Sequence, residues 1–153
     1  MAPGLIALAA ALAVAVATGL AWQRTNGRIR GVRAVPGAPQ AQAAEGTAAG
    51  AGPVLTGAEL GLPLGQRATL VQFSTTFCAP CRATRRILGE VAGMIDGVAH
   101  VEIDAESHLD LVRRLDIRRT PTILVVGPDG RIAKRASGQP RKADVIAAVG
   151  ELS

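Results

Sequence analysis

The chain has 153 residues, 48% hydrophobic and 19% charged, with a net charge of +5, which allows one modest domain plus an appendage and excludes a multidomain machine. Tyr is absent, and Phe73, Phe77 and Trp22 are the whole aromatic complement, so successive nucleic-acid bases would find nothing to stack on. The charge has no nucleic-acid footprint either: Arg24, Arg28, Arg30 and Arg33, opposed only by Glu45, hold +3 of it before residue 54, and the remaining +2 is spread over a mixed surface.

From Leu5 to Trp22 no residue is charged, and the run through Val14, Val16 and Leu20 predicts one apolar helix about long enough to span a bilayer. Residues 4–22 are therefore expected to be a transmembrane anchor. A cleaved signal peptide is the competing reading, but Met1 to Gly4 lacks a positive n-region and the triplet Ala41-Gln42-Ala43 lies far beyond the apolar run. A buried core helix is the third reading, weakened by the Ala/Gly/Pro-rich stretch that follows. The four arginines after the span place the C-terminal part in the cytoplasm by the positive-inside rule, with an outward-facing domain as the alternative.

Residues 23–53 read as a linker, basic at first; from Ala34 to Pro53 it is rich in Ala, Gly, Gln and Pro, with too little branched apolar surface to repay ordering, and reads as a tether. Residues 54–153 alternate short strands with amphipathic helices, the pattern of an α/β domain. Strands are expected at Thr69–Ser74, Val98–Asp104, Thr122–Val126 and Ile132–Ser137, with Asp129-Gly130 turning the last hairpin. Helices are expected from about Ala79 to Ile95, with Gly97 closing it, over His108–Leu115 and over Lys142–Leu152.

Two cysteines, Cys78 and Cys81, are too few and too close to staple a mini-protein, so their spacing points to chemistry. Cys78-Ala79-Pro80-Cys81 lies where a strand ends and a helix begins. The first sulfur there meets unpaired backbone N–H groups and the positive end of the helix dipole, which favour thiolate over thiol. Pro80 suits the first helical turn, and Arg82, Arg85 and Arg86 add positive charge to the same helix. Cys78 is thus the expected nucleophile, and Cys81, one turn on, can resolve a mixed disulfide by forming the internal bond. A zinc site would need two further ligands at finger spacing, which His100 and His108 do not supply. Haem attachment would need His at position 82, which is Arg.

Over about Ala68 to Leu152 the sequence resembles the thioredoxin family. The segment from Thr69 to Arg82 resembles the family's strand, active-site loop and helix start, and Val101-Glu102-Ile103-Asp104 its next strand. Arg119-Thr120-Pro121-Thr122 resembles the loop whose proline is cis and pairs with substrate backbone, and Gly138 matches the glycine that lets a substrate approach. Taken alone, a proline entering a β-branched strand requires only that the first strand residue can lose its ladder donor. The resemblance implies a thioredoxin-like fold with a central mixed sheet flanked by helices. It also implies a thiol–disulfide oxidoreductase acting on disulfide-containing proteins and recharged by an electron-donating reductase. The chain is expected to be monomeric and to need no cofactor besides the Cys78–Cys81 disulfide.

The chain departs from the family pattern at the redox loop. Phe77 replaces Trp before the first cysteine and Ala79 replaces Gly between the two. With no His in the loop, a reductant is expected rather than an oxidant. Core packing is the default for Phe73 and Phe77, with Phe77 the one that could line the substrate surface. Gln72 stands where the family has a buried Asp that shuttles the proton of the resolving cysteine, and Gln cannot titrate. His100 falls near the family's partner lysine and is the candidate to take over proton transfer. Weakening of that step motivates the rival reading, a tethered binding module that uses its Pro121 groove to hold a partner. Within the enzyme class, the rivals are an outward-facing oxidant and a dedicated reductase for one exported apoprotein.

Overall fold

The structure, a computed structural model, describes residues 2–25, 27–31 and 53–152. The chain begins with helix α1 (Ala2–Thr25). Its side chains are described from residue 6 to residue 21, and Ile6, Leu8, Leu12, Val14, Val16 and Leu20 are between 50% and 69% exposed. Among the described residues no helix is long and apolar enough to cross a membrane. The expected helix is present; the expected transmembrane span over 4–22 is not supported.

The basic start of the linker expected over 23–53 is ordered in part. Arg30–Gly31 forms strand β1, antiparallel to strand β5 (Ile132–Ser137), with Arg30 opposite Arg135 and Gly31 opposite Lys134. Gly27 donates its N–H to the Ser137 carbonyl at 2.8 Å, and Ile29 packs against the core. Here the ladder donors and acceptors that β5 leaves open outweigh the lack of branched apolar surface. Residues 32–52, which carry Arg33 and the rest of that stretch, lie outside the described residues.

The domain proper starts with a short helix absent from the sequence expectation, α2 (Gly57–Leu60). Its signal was the capping box: Thr56 Oγ1 accepts the Glu59 N–H, and the Glu59 carboxylate accepts the Thr56 N–H at 2.8 Å. Strand β2 (Ala68–Ser74), helix α3 (Ala79–Met94) and strand β3 (Val98–Asp104) follow as a crossover unit with parallel strands. Helix α4 (Leu109–Arg114) leads to β4 (Thr122–Val126), the hairpin to β5, and helix α5 (Lys142–Gly150). The sheet order is β1-β5-β4-β2-β3, mixed, with β2 parallel to β3 and antiparallel to β4. Each expected strand and helix of the domain is found, with the last two helices one or two residues shorter at their ends.

All seven residues of β2 are buried, so its two faces sort side chains by parity. Val71 and Phe73 enter one core with Val101, Ile103, Leu111, Leu115 and Leu124 beneath α2 and α4. Ala68 and Leu70 enter the other, with Leu88 and Val91 of α3 and Val145 and Val149 of α5. Burying Phe73 completely is worth about 2–3 kcal/mol. The same parity turns Gln72 and Ser74 toward α3, the helix that carries the cysteines.

Candidate active site

Helix α3 starts at the cysteines for a local reason. Cys78 is its N-cap, in extended conformation, and its Sγ accepts the Cys81 N–H at 3.2 Å; Pro80 occupies the first turn, where its missing N–H costs nothing. The two sulfurs are joined in a disulfide, with the Cα atoms 5.2 Å apart. The pair is asymmetric: Cys78 is half-buried, whereas Cys81 is 1% exposed. An incoming sulfur can therefore reach Cys78 and not Cys81.

The Thr120–Pro121 peptide is cis, and its loop is tied to the active-site loop by a 3.2 Å hydrogen bond between the Thr75 and Thr120 hydroxyls. Gly138, at φ +91, donates its N–H to the Pro121 carbonyl at 2.7 Å. At that φ a side chain would be strained, so the residue type follows from the backbone. Pro121 and Gly138 are themselves buried, and Thr120 is half-buried. Phe77 is 97% exposed and leaves the core to Phe73, which is fully buried; the default of core packing is wrong for Phe77. The fold thus gathers Phe77, Cys78, Thr120, Pro121 and Gly138, drawn from distant parts of the sequence, around one end of the sheet.

Gln72 is fully buried beneath Cys81. Its Nε2 donates to the Cys81 carbonyl at 2.9 Å, to Ser74 Oγ at 2.8 Å and to Glu102 Oε1 at 3.3 Å. An amide carries no exchangeable charge, so Gln72 acts there by hydrogen bonding and not by proton transfer. His100 is in register with Leu70, one pleat back from the Gln72–Glu102 pair, and its Nε2 is buried without a partner. Burial pushes the His100 imidazole below its ordinary value, with Glu102 opposing and Arg85 adding to the shift.

Glu102 and Ser74 escaped the sequence reading as site residues, and Arg85 entered it only as charge on the helix. Ser74 donates to Glu102 Oε1 at 2.6 Å, and Arg85 reaches both carboxylate oxygens, at 2.8 and 2.5 Å. Burial pushes the Glu102 carboxyl up, but hydrogen bonds from Arg85 and Ser74 and the charges of Arg85 and His100 outweigh it and hold it below the ordinary range. The signal was there in parity: Glu102 shares the α3-facing side of β3 with His100, and Arg85 follows Cys81 by four residues, one helical turn. Among the described residues, no group of three or more His, Cys, Asp or Glu is placed to hold a metal ion.

The model of the thioredoxin family matches residues 62–151. A thioredoxin of Staphylococcus saprophyticus is 30% identical over 80 residues, which are 50% of this chain and 77% of that protein. Chloroplastic thioredoxin Y2 of Arabidopsis thaliana is 36% identical over 70 residues, 45% of this chain and 41% of its own length. Among solved structures, chloroplastic thioredoxin z matches at a TM-score of 0.52 and 34% identity, over 57% of this chain and 79% of that one. A thioredoxin of Halobacterium salinarum shares the fold at a TM-score of 0.53 and 18% identity, over 57% of this chain and 75% of that one. A disulfide at a helix N-cap, a cis proline in a loop hydrogen-bonded to the segment before it and a family match over most of the domain lead to one conclusion: the chain belongs to the thioredoxin family and is a thiol–disulfide oxidoreductase.

Proposed function

We propose that the protein is a protein disulfide reductase that cycles its Cys78–Cys81 pair through a mixed disulfide with substrate. The observation that carries this reading is the asymmetry of the pair: a half-exposed Cys78 whose sulfur accepts a helix N–H, and a buried Cys81. Cys78 attacks the substrate disulfide, one substrate sulfur leaves, and Cys81 displaces the other by closing the internal bond. Phe77 offers an apolar contact, and the Thr120-Pro121 loop with Gly138 offers the backbone edge against which an extended substrate segment lies. The substrates are disulfide-containing proteins, and electrons come from a separate reductase.

The test is a redox titration of the full chain, following the Cys78–Cys81 bond by thiol alkylation and mass across dithiol buffers. A potential near about −270 mV supports the reductase, and one above about −200 mV assigns an oxidant or isomerase instead. If no internal disulfide forms at any poise, the binding-module reading takes its place. In cells, Cys81→Ser should accumulate partners linked to Cys78, whereas a binding module would keep the same partners after Cys78→Ser.

Attachment to a bilayer with the domain on the cytoplasmic side is a separate proposal. It is supported by the uncharged run before Trp22 and the four arginines after it, not by the helix as described. Resistance of the full chain to alkaline extraction from membranes would support it, and release into the soluble fraction would dismiss it.

A further inference from the structure

Beneath the disulfide a polar chain crosses two strands and a helix, from buried Gln72 and Ser74 through half-buried Glu102 to exposed Arg85. Arg85 of α3 holds the Glu102 carboxylate, Glu102 accepts the Ser74 hydroxyl, and Ser74 and Glu102 both accept from Gln72, which also donates to the Cys81 carbonyl. The orientation of the Gln72 amide is fixed by its neighbours: the Cys81 carbonyl and the Glu102 carboxylate are acceptors only, so the NH2 group must face them. This leaves Gln72 Oε1 buried and without a partner while the disulfide is closed. A buried acceptor left empty is costly, and a thiol formed nearby would be a donor for it.

We propose that Glu102, acting through Ser74 and Gln72, is a positioning residue that keeps Cys81 in its thiol form once the disulfide opens, by presenting the free Gln72 oxygen to the Cys81 S–H. The inference rests on reading Cys78 and Cys81 as the redox pair. In the resolving step the Cys81 sulfur attacks Cys78 Sγ and the Cys78–Cys81 bond forms. The bond from Cys78 to the substrate sulfur breaks, and the electron pair and the Cys81 proton leave with the substrate as a thiol. Before that step, a protonated Cys81 confines thiolate reactivity to Cys78, so the accessible sulfur attacks first. The charged and titratable groups around the chain are Glu102 and His100 from β3, Arg85 from α3 and Cys78 at the helix N-cap. Strand β2 adds the non-titrating Gln72 and Ser74, and β4 adds Ile123 opposite Gln72.

The test uses the full chain with Cys78→Ser, so that one sulfur titrates, and follows the 13Cβ shift of Cys81 against pH. Glu102→Gln should lower the midpoint by about one unit, a tenfold rise in thiolate fraction at a fixed pH below it, and Glu102→Asp should restore it. Arg85→Met leaves the carboxylate uncompensated and should raise the midpoint. A midpoint unmoved by Glu102→Gln overturns the proposal, as do shifts of the same sign in both variants, the mark of mere loosening. Should a variant fail to fold, the unsubstituted protein still decides: the Gln72 side-chain amide resonances must move between the oxidised and reduced states, and unchanged resonances overturn the proposal. If the Cys78–Cys81 bond titrates normally in redox buffers while these signals stay put, this inference fails alone. Absence of the bond at every poise defeats the oxidoreductase reading beneath it.

Discussion

The Gln72 side-chain amide donates to the Cys81 carbonyl at 2.9 Å, so a neutral side chain from the sheet grips the helix turn that carries the buried cysteine. Replacing it by Leu removes that donor and the links to Ser74 and Glu102, while also removing the empty Oε1. In the oxidised protein these effects partly offset, and Gln72→Leu should cost about 1 kcal/mol in denaturant unfolding. In the reduced protein the lost acceptor for Cys81 adds to the cost. The reduction potential should therefore fall, by about 20 mV for each additional 1 kcal/mol.

Phe77 is 97% exposed and adjoins the nucleophile, so Phe77→Ala should leave the thermal midpoint unchanged. If it contacts substrate, its loss should slow reduction of protein disulfides about fivefold, the equivalent of about 1 kcal/mol. An unaltered rate with protein substrates would remove Phe77 from the docking surface.

Gly27 has φ +79, and a Cβ there would lie 1.9 Å from the Gln139 carbonyl oxygen. Gly27→Val should break the hydrogen bond to Ser137 and release β1 from β5, because neither backbone can move aside cheaply. Amide exchange at Ile29 to Gly31 should become fast while β2 and β4 stay protected. Retained protection at Gly31 would show that the added strand does not depend on this close approach.

His100 is held below its ordinary value of 6.5 by burial. Between the folded and unfolded values the unfolded chain binds more protons, so stability rises with pH through that window and falls as pH drops below about 6.5. Glu102, held below its ordinary 4.5, acts with the same sign further into acid: its contribution is present above that value and is lost as pH falls through the folded one. His100→Asn should flatten the stability profile between about pH 7 and 5 and leave the more acidic limb in place. Unfolding measured in urea at each pH checks both limbs, and an unflattened upper limb would place His100 in a solvated setting.

The elements of the domain were legible because local signals and the tertiary solution agree. The alternation of Val98–Asp104, the helical spacing of Ile87, Leu88 and Val91, and the turn at Asp129-Gly130 each specify an element that burial then completes. Helix α2 was missed although Thr56 and Glu59 announce it, since four residues give no periodicity to detect. Strand β1 could not be found from Arg30-Gly31, which carry no strand propensity and are ordered by an edge that exists only after β5 has folded.

The reactive pair and its place at a helix start follow from the sequence alone, since the spacing and the strand-to-helix change are both local. Only the tertiary structure decided what surrounds Cys81. Gln72, Ser74, Arg85 and Glu102 come from two strands and a helix, and strand register, which no local spacing encodes, brings Glu102 opposite Gln72. The four form one connected group that runs from buried Gln72 and Ser74 through half-buried Glu102 to exposed Arg85, and water competes least for the hydrogen bonds at its inner end.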